Sequence, residues 1–238
     1  GPAKSRMRVR RLVLRPVAAA AAAVSAATAA AASTSASTTA SPPPILYGTA
    51  WKRERTCELV LAALRAGFRG IDTACQPKHY DEAAVGAALE TSGLRRADLY
   101  VQTKYTPLAG QDPDRLPYDA AAEVEEQVKQ SVAASLRNLR TDYLDCLLLH
   151  SPLPSHEQTL RAWRQMEAHV AAGEARALGL SNQYDAAALE RLYEEASVKP
   201  SVVQNRFVEA RASHRINTTP GPDRMHGQSR TDGQTEID

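Results

Sequence analysis

Four side chains in this sequence are of types that can deliver a proton to an oxygen: Asp72, Tyr80, Lys104 and His150. A tyrosine hydroxyl is a weak acid near neutral pH, with a reference pKa of about 10. A neighbouring ammonium stabilises the phenolate and lowers that value. An aspartate paired with the lysine holds it charged and aimed, and a histidine can orient a carbonyl oxygen or share the proton. The set suits protonation of a carbonyl oxygen as a hydride reaches the carbon. Each residue alone also has a plainer reading. An aspartate after a strand often caps a helix, a lysine at a strand end is usually solvated, and His150 follows Leu147-Leu148-Leu149 as a core-edge residue would. Tyr105 competes with Tyr80 for the acid role. His79, His150 and Asp72 suggest metal-assisted hydrolysis as an alternative, but the histidines lack the i, i+2 or i, i+4 spacing of paired ligands.

The elements that must position these residues alternate along the chain. Strands are expected at Ile45–Thr49, Phe68–Thr73, Leu99–Lys104, Tyr143–Leu149, Ala177–Leu180 and Val202–Gln204. Helices are expected at Thr56–Ala66, Glu82–Leu89, Leu160–Val170 and Ala186–Glu195. The clearest helix carries Val124, Val128, Val132 and Leu136 every four residues and closes on Leu139. That stripe marks an amphipathic helix packed on one side. The nearly continuous apolar run before His150 marks a strand buried on both faces, as in parallel sheets.

Alternating β and α units imply an α/β fold with a parallel sheet. A doubly wound dinucleotide fold would carry G-x-G-x-x-G after its first strand, and Gly48 stands alone there. Polar residues cluster instead at the strand C-termini: Thr49, Asp72, Lys104, His150, Ser181-Asn182 and Gln204. That is where (β/α)8 TIM barrels place their chemistry.

The motifs resemble those of the aldo-keto reductase family. The stretches are Gly48-Thr49-Ala50-Trp51-Lys52, Gly67 to Ala74, Tyr100 to Lys104, Asp142 to Asp145 with Leu149 to Pro152, Gly179 to Asn182, and Val203 to Asn205. They occur in family order over residues 45–207. The resemblance implies NADPH-dependent reduction of a small-molecule aldehyde or ketone. It implies Asp72, Tyr80, Lys104 and His150 as the catalytic set, with Tyr80 the general acid. It implies that Ser181, Asn182 and Gln204 hold the nicotinamide, with Asp72 beside it and Thr49 and Trp51 lining the mouth. Two departures stand out. Cys75-Gln76-Pro77-Lys78-His79 lengthens the loop between Asp72 and Tyr80, and the family's N-terminal hairpin has no counterpart before the first strand.

Composition bounds the remainder. Six of the 29 basic residues and none of the 27 acidic ones precede Pro44, so the body holds 23 basic against 27 acidic residues. That balance offers no general attraction to nucleic acid. Cys57, Cys75 and Cys146 are widely spaced and odd in number, unlike a disulfide scaffold or a zinc site. The Ala-rich run from Ala18 to Ala32 is too weakly apolar for a membrane span, and nothing fixes an oligomeric state. Residues 1–44 are rich in Arg, Ala and Ser and free of acids. They fit a transit peptide, a weak secretory signal or a leader without an address. The expected location is cytoplasmic or organellar.

Residues 208–238 lack apolar periodicity and contain Thr218-Thr219-Pro220-Gly221-Pro222, as a disordered non-family tail would. The expectation is therefore an incomplete barrel of about six strands, lacking its last two βα units. Two functions stay open: an active reductase, and a catalytically inactive truncated relative or interaction fragment.

Overall fold

The computed structural model describes residues 41–206. The first forty residues and residues 207–238, with the readings of a targeting leader and a non-family tail, lie outside the described residues.

Within them the elements run β1 (Leu46–Gly48), α1 (Thr56–Arg65), β2 (Gly70–Asp72), α2 (Glu82–Thr91), β3 (Tyr100–Tyr105), α3 (Val124–Leu139), β4 (Cys146–Leu149), α4 (His156–Ala171), β5 (Leu178–Ser181), α5 (Ala186–Glu195) and β6 (Val202–Gln204). The strands form one sheet in the order β1-β2-β3-β4-β5-β6, and every neighbouring pair is parallel. A doubly wound sheet reverses its strand order at a switch point. This sheet never reverses, so it is the wall of an incomplete (β/α)8 barrel.

The two-residue period of a strand divides the side chains between two cores. Ile71, Val101, Tyr105, Leu147, Leu149, Leu178 and Leu180 face the helices and pack with Val128, Val132, Trp163 and Met166. The opposite parity builds a smaller inner cluster of Tyr100, Cys146 and Leu148, bordered by Leu46, Ala177 and Val202. Space on that inner face is tight: a Cβ on Gly179 would lie 2.7 Å from the Val202 carbonyl oxygen. The inner parity, continued to the strand ends, reaches Asp72, Lys104, His150, Ser181 and Gln204. The sheet therefore delivers all five to one end of one face.

Some boundaries differ from those expected. Helix α4 begins at His156, four residues before Leu160, because Ser155 caps it by accepting from the Gln158 N–H at 3.1 Å. Its first turn is polar, so apolar periodicity does not reveal it. Strand β4 begins at Cys146 rather than Tyr143. Tyr143 lies instead between two guanidiniums, those of Arg96 at 4.0 Å and Arg176 at 3.8 Å from its ring centre. Both arginines also pair with buried Asp145, at 2.8 and 3.1 Å, and Asp145 accepts from the Val101 N–H at 2.9 Å. The Asp142–Asp145 motif is thus a clasp at the N-terminal end of β3, β4 and β5, remote from the strand ends that carry chemistry.

Candidate active site

Asp72 closes β2 and Lys104 lies one residue before the end of β3. The Lys104 ammonium is 2% exposed. It donates to Asp72 Oδ1 at 2.7 Å and to the Thr73 carbonyl at 2.8 Å. Burial pulls the lysine pKa down, and the Asp72 carboxylate opposes that pull. Asp72 Oδ1 accepts a second bond, from Gln102 Nε2 at 2.7 Å. The carboxylate is therefore fixed by two donors from one strand.

Tyr80 reaches this pair from the loop after β2. Its ring centre lies 5.5 Å from Lys104 Nζ and 6.0 Å from the His150 ring, at 71°. Two of the proposed catalytic groups, Lys104 and His150, thus flank the Tyr80 ring, and Asp72 holds the lysine. The longer loop does not displace the tyrosine. Backbone bonds from the His79 and Tyr80 N–H groups to the Gln76 carbonyl fold the extra residues into a tight turn. Tyr105, the competing tyrosine, has the opposite parity: it is buried toward the helices and donates to Gln127 at 3.1 Å.

The expected lowering of the Tyr80 pKa is corrected by this geometry. Burial, and secondarily the Asp72 charge, push the hydroxyl up to about 12. The Lys104 charge is already paired with Asp72, so it cannot offset the desolvation of a phenolate. His150 moves the other way. Burial first, then the Lys104 charge, depress its pKa to about 4, so the ring is neutral near pH 7.

His150 is also held on two sides. Its Nδ1 lies 2.6 Å from Thr106 Oγ1, and its carbonyl accepts from Asn182 Nδ2 at 2.8 Å. Thr106 and Gln102 were not among the residues singled out from sequence. Both share the inner parity of Lys104, two positions either side, and that period was the available signal.

At β5 and β6, Ser181 Oγ donates to the Gln204 carbonyl at 2.9 Å. Asn182 adopts a left-handed backbone with φ 54. Gln204 Oε1 is buried without a hydrogen-bond partner among the described residues. Thr49 is fully buried, and its N–H and hydroxyl both donate to the Asp72 carbonyl at 3.0 Å. Its place is to hold β2 rather than to face a ligand. Trp51 is 63% exposed and stacks on His79 with ring centres 3.6 Å apart. His79 is thereby engaged away from Asp72. Among the described residues no three His, Cys, Asp or Glu side chains converge as metal ligands would.

Comparison with known proteins agrees with the fold. The profile of the aldo/keto reductase family matches residues 44–219. The methylglyoxal reductase DkgA of Salmonella typhimurium is 30% identical over 174 residues, covering 71% of this chain and 57% of that protein. The glyoxal reductase of Bacillus subtilis is 33% identical over 150 residues, 63% of this chain and 48% of the relative. Among solved structures, an aldo/keto reductase from Brucella melitensis superposes with TM-score 0.57 and 32% identity, covering 69% of this chain and 59% of that one. A Bombyx mori aldo-keto reductase in complex with NADP gives TM-score 0.57 at 26% identity, with 69% and 54% covered. The chain thus spans about half to three fifths of the length of these relatives. Motifs, singly wound parallel sheet and family profile coincide over the same residues: the chain belongs to the aldo/keto reductase family.

Proposed function

We infer that the cluster reduces an aldehyde or ketone to an alcohol with NADPH, and that Tyr80 is the proton donor. The observation that carries this reading is Tyr80 held between a buried Lys104–Asp72 pair and a neutral His150.

The nicotinamide half of a cofactor fits the β5–β6 end. A carboxamide offers two N–H donors. Gln204 Oε1 is a buried acceptor with no donor among the described residues, and the Asn182 amide binds His150 through nitrogen, which leaves its oxygen to accept. Ser181 braces both through the Gln204 carbonyl. When bound there, a reduced nicotinamide supplies the hydride.

The chain's own residues manage the proton. With its pKa at about 12, Tyr80 keeps its proton throughout the neutral range. The hydroxyl donates to the carbonyl oxygen as charge develops on it, leaving phenolate beside the Lys104 ammonium. The proton that restores Tyr80 comes from solvent. Neutral His150 orients the oxygen. Thr106, donating to Nδ1, would leave the hydrogen on Nε2, so that the ring itself donates toward the substrate.

Methylglyoxal and glyoxal are the test substrates, since proteins similar to this chain are named for them. The direct test of the cofactor assignment is fluorescence titration of the 238-residue chain with NADPH. A saturable enhancement that is weakened in Gln204→Ala supports the assignment, and a response identical to buffer overturns it.

A further inference from the structure

We propose that a cavity beside Tyr80 recognises an anionic group, carboxylate or phosphate, on the carbonyl substrate. The inference rests on the reductase reading above. The cavity holds about 560 Å³, within the size range of small-molecule pockets. Trp51 and Tyr80 both belong to its wall, and Tyr80 is shared with the candidate catalytic cluster.

Its charge is unbalanced. Arg53, Lys78 and Arg115 line it, one from each of the loops that follow β1, β2 and β3. Among the described residues, the Arg53 and Lys78 side chains have no hydrogen bond or ion pair. Arg115 shares its charge with Asp112 at 3.0 Å on an exposed surface. The two carboxylates in the wall are engaged elsewhere. Asp81 caps α2 by accepting from the Ala84 N–H at 2.9 Å. Glu82 turns inward to Thr103 and Ser135 at 2.6 and 2.9 Å, and burial holds it toward the neutral acid. His79 adds a buried Nδ1 with no partner among the described residues. Burial and then the Lys78 charge lower the pKa of this ring, so the lysine acts on the group that stacks against Trp51.

Position assigns the anion to the substrate rather than to the cofactor. Ser181, Asn182 and Gln204 stand on β5 and β6, whereas the cations stand on loops after β1, β2 and β3, at the other side of the sheet. Among the described residues neither the Arg53 guanidinium nor the Lys78 ammonium is ion-paired, although the Asp112 charge acts on Lys78, and both can form charge-assisted hydrogen bonds to carboxylate or phosphate oxygens. A carbonyl compound reaching from Tyr80 along the Trp51–His79 rings would meet them with its charged end.

The test uses the full chain and needs no turnover. Of its two tryptophans, Trp163 is fully buried and Trp51 is 63% exposed, so emission changes on anion binding report Trp51. Glutarate and inorganic phosphate are titrated separately against sodium chloride of equal ionic strength. A saturable change with either probe is expected, weakened about tenfold or more in Arg53→Gln/Lys78→Gln, and the arm that saturates names the anion. A response equal to that of chloride, or one unaltered in the double variant, overturns the proposal.

Turnover separates this inference from the reductase reading. The ratio of kcat/KM for succinate semialdehyde to that for butyraldehyde should fall in the double variant. Turnover of both aldehydes with an unchanged ratio sinks the anion site alone. Saturable anion binding without any turnover sinks the reductase reading and leaves the site standing.

Discussion

Thr106 Oγ1 lies 2.6 Å from His150 Nδ1, and a hydroxyl that donates across that contact would place the ring hydrogen on Nε2. Thr106 is itself 2% exposed, and its carbonyl accepts from the Tyr118 hydroxyl at 2.6 Å. With Gln111 Nε2 donating to the same carbonyl at 3.2 Å, the Thr106 backbone is anchored beside the histidine. Thr106→Val keeps the shape and removes the donor. kcat should fall about tenfold or more with a smaller change in KM, and Thr106→Ser should restore it. Nitrogen NMR of the imidazole should report hydrogen on Nε2 in the parent chain and a mixture in the valine variant. Equal turnover in both chains would remove Thr106 from the mechanism.

The Lys104–Asp72 pair should be strongly coupled in stability. The ammonium is nearly inaccessible and only 2.7 Å from Asp72 Oδ1. Removing one member of a buried pair leaves the other charge without compensation, at a cost of about 3–5 kcal/mol. Lys104→Met should destabilise by about that amount in urea unfolding. Lys104→Met/Asp72→Asn should recover much of the loss, because Gln102 can still donate to the asparagine oxygen. Additive effects of the two changes would mean that the pair is not coupled.

Glu82 predicts a pH dependence of stability. It is 5% exposed, and burial raises its pKa above the ordinary carboxylate value. Between those two values the folded chain holds more protons than the unfolded chain, so stability falls as pH rises through that window. Glu82→Gln preserves the bonds from Thr103 and Ser135 and abolishes the titration. The melting temperature of the variant relative to the parent should therefore rise from pH 4 to pH 8. A constant difference across that range would contradict the assignment.

Much of this was legible in the sequence because two signals reinforced each other. The apolar run before His150 marked β4, the four-residue stripe marked α3, and polar residues at the strand ends marked the open end of a barrel. Asp72, Lys104 and His150 could be grouped because their strands are adjacent in the sheet. What was not legible depends on contacts between distant residues. The rise in the Tyr80 pKa follows from packing and from Lys104 being paired with Asp72, and neither has a trace in spacing. Thr49 shares a motif with Trp51, yet its side chain turns to the Asp72 carbonyl while the tryptophan is exposed. Tyr143 looks like a strand residue and is instead clamped by Arg96 and Arg176, which lie 47 and 33 positions away in the sequence.

Delivery of the proton by the Tyr80 hydroxyl is tested most directly by removing that hydroxyl. The measurement is NADPH oxidation by the full chain with methylglyoxal, compared with Tyr80→Phe, which removes one oxygen and keeps the ring packed against His150. NADPH fluorescence titration runs in parallel on both chains. Turnover is expected in the parent, with a loss of about a hundredfold or more in the variant and cofactor affinity unchanged between them. Equal turnover in the two chains, with the cofactor bound in both, would contradict Tyr80 as the proton donor.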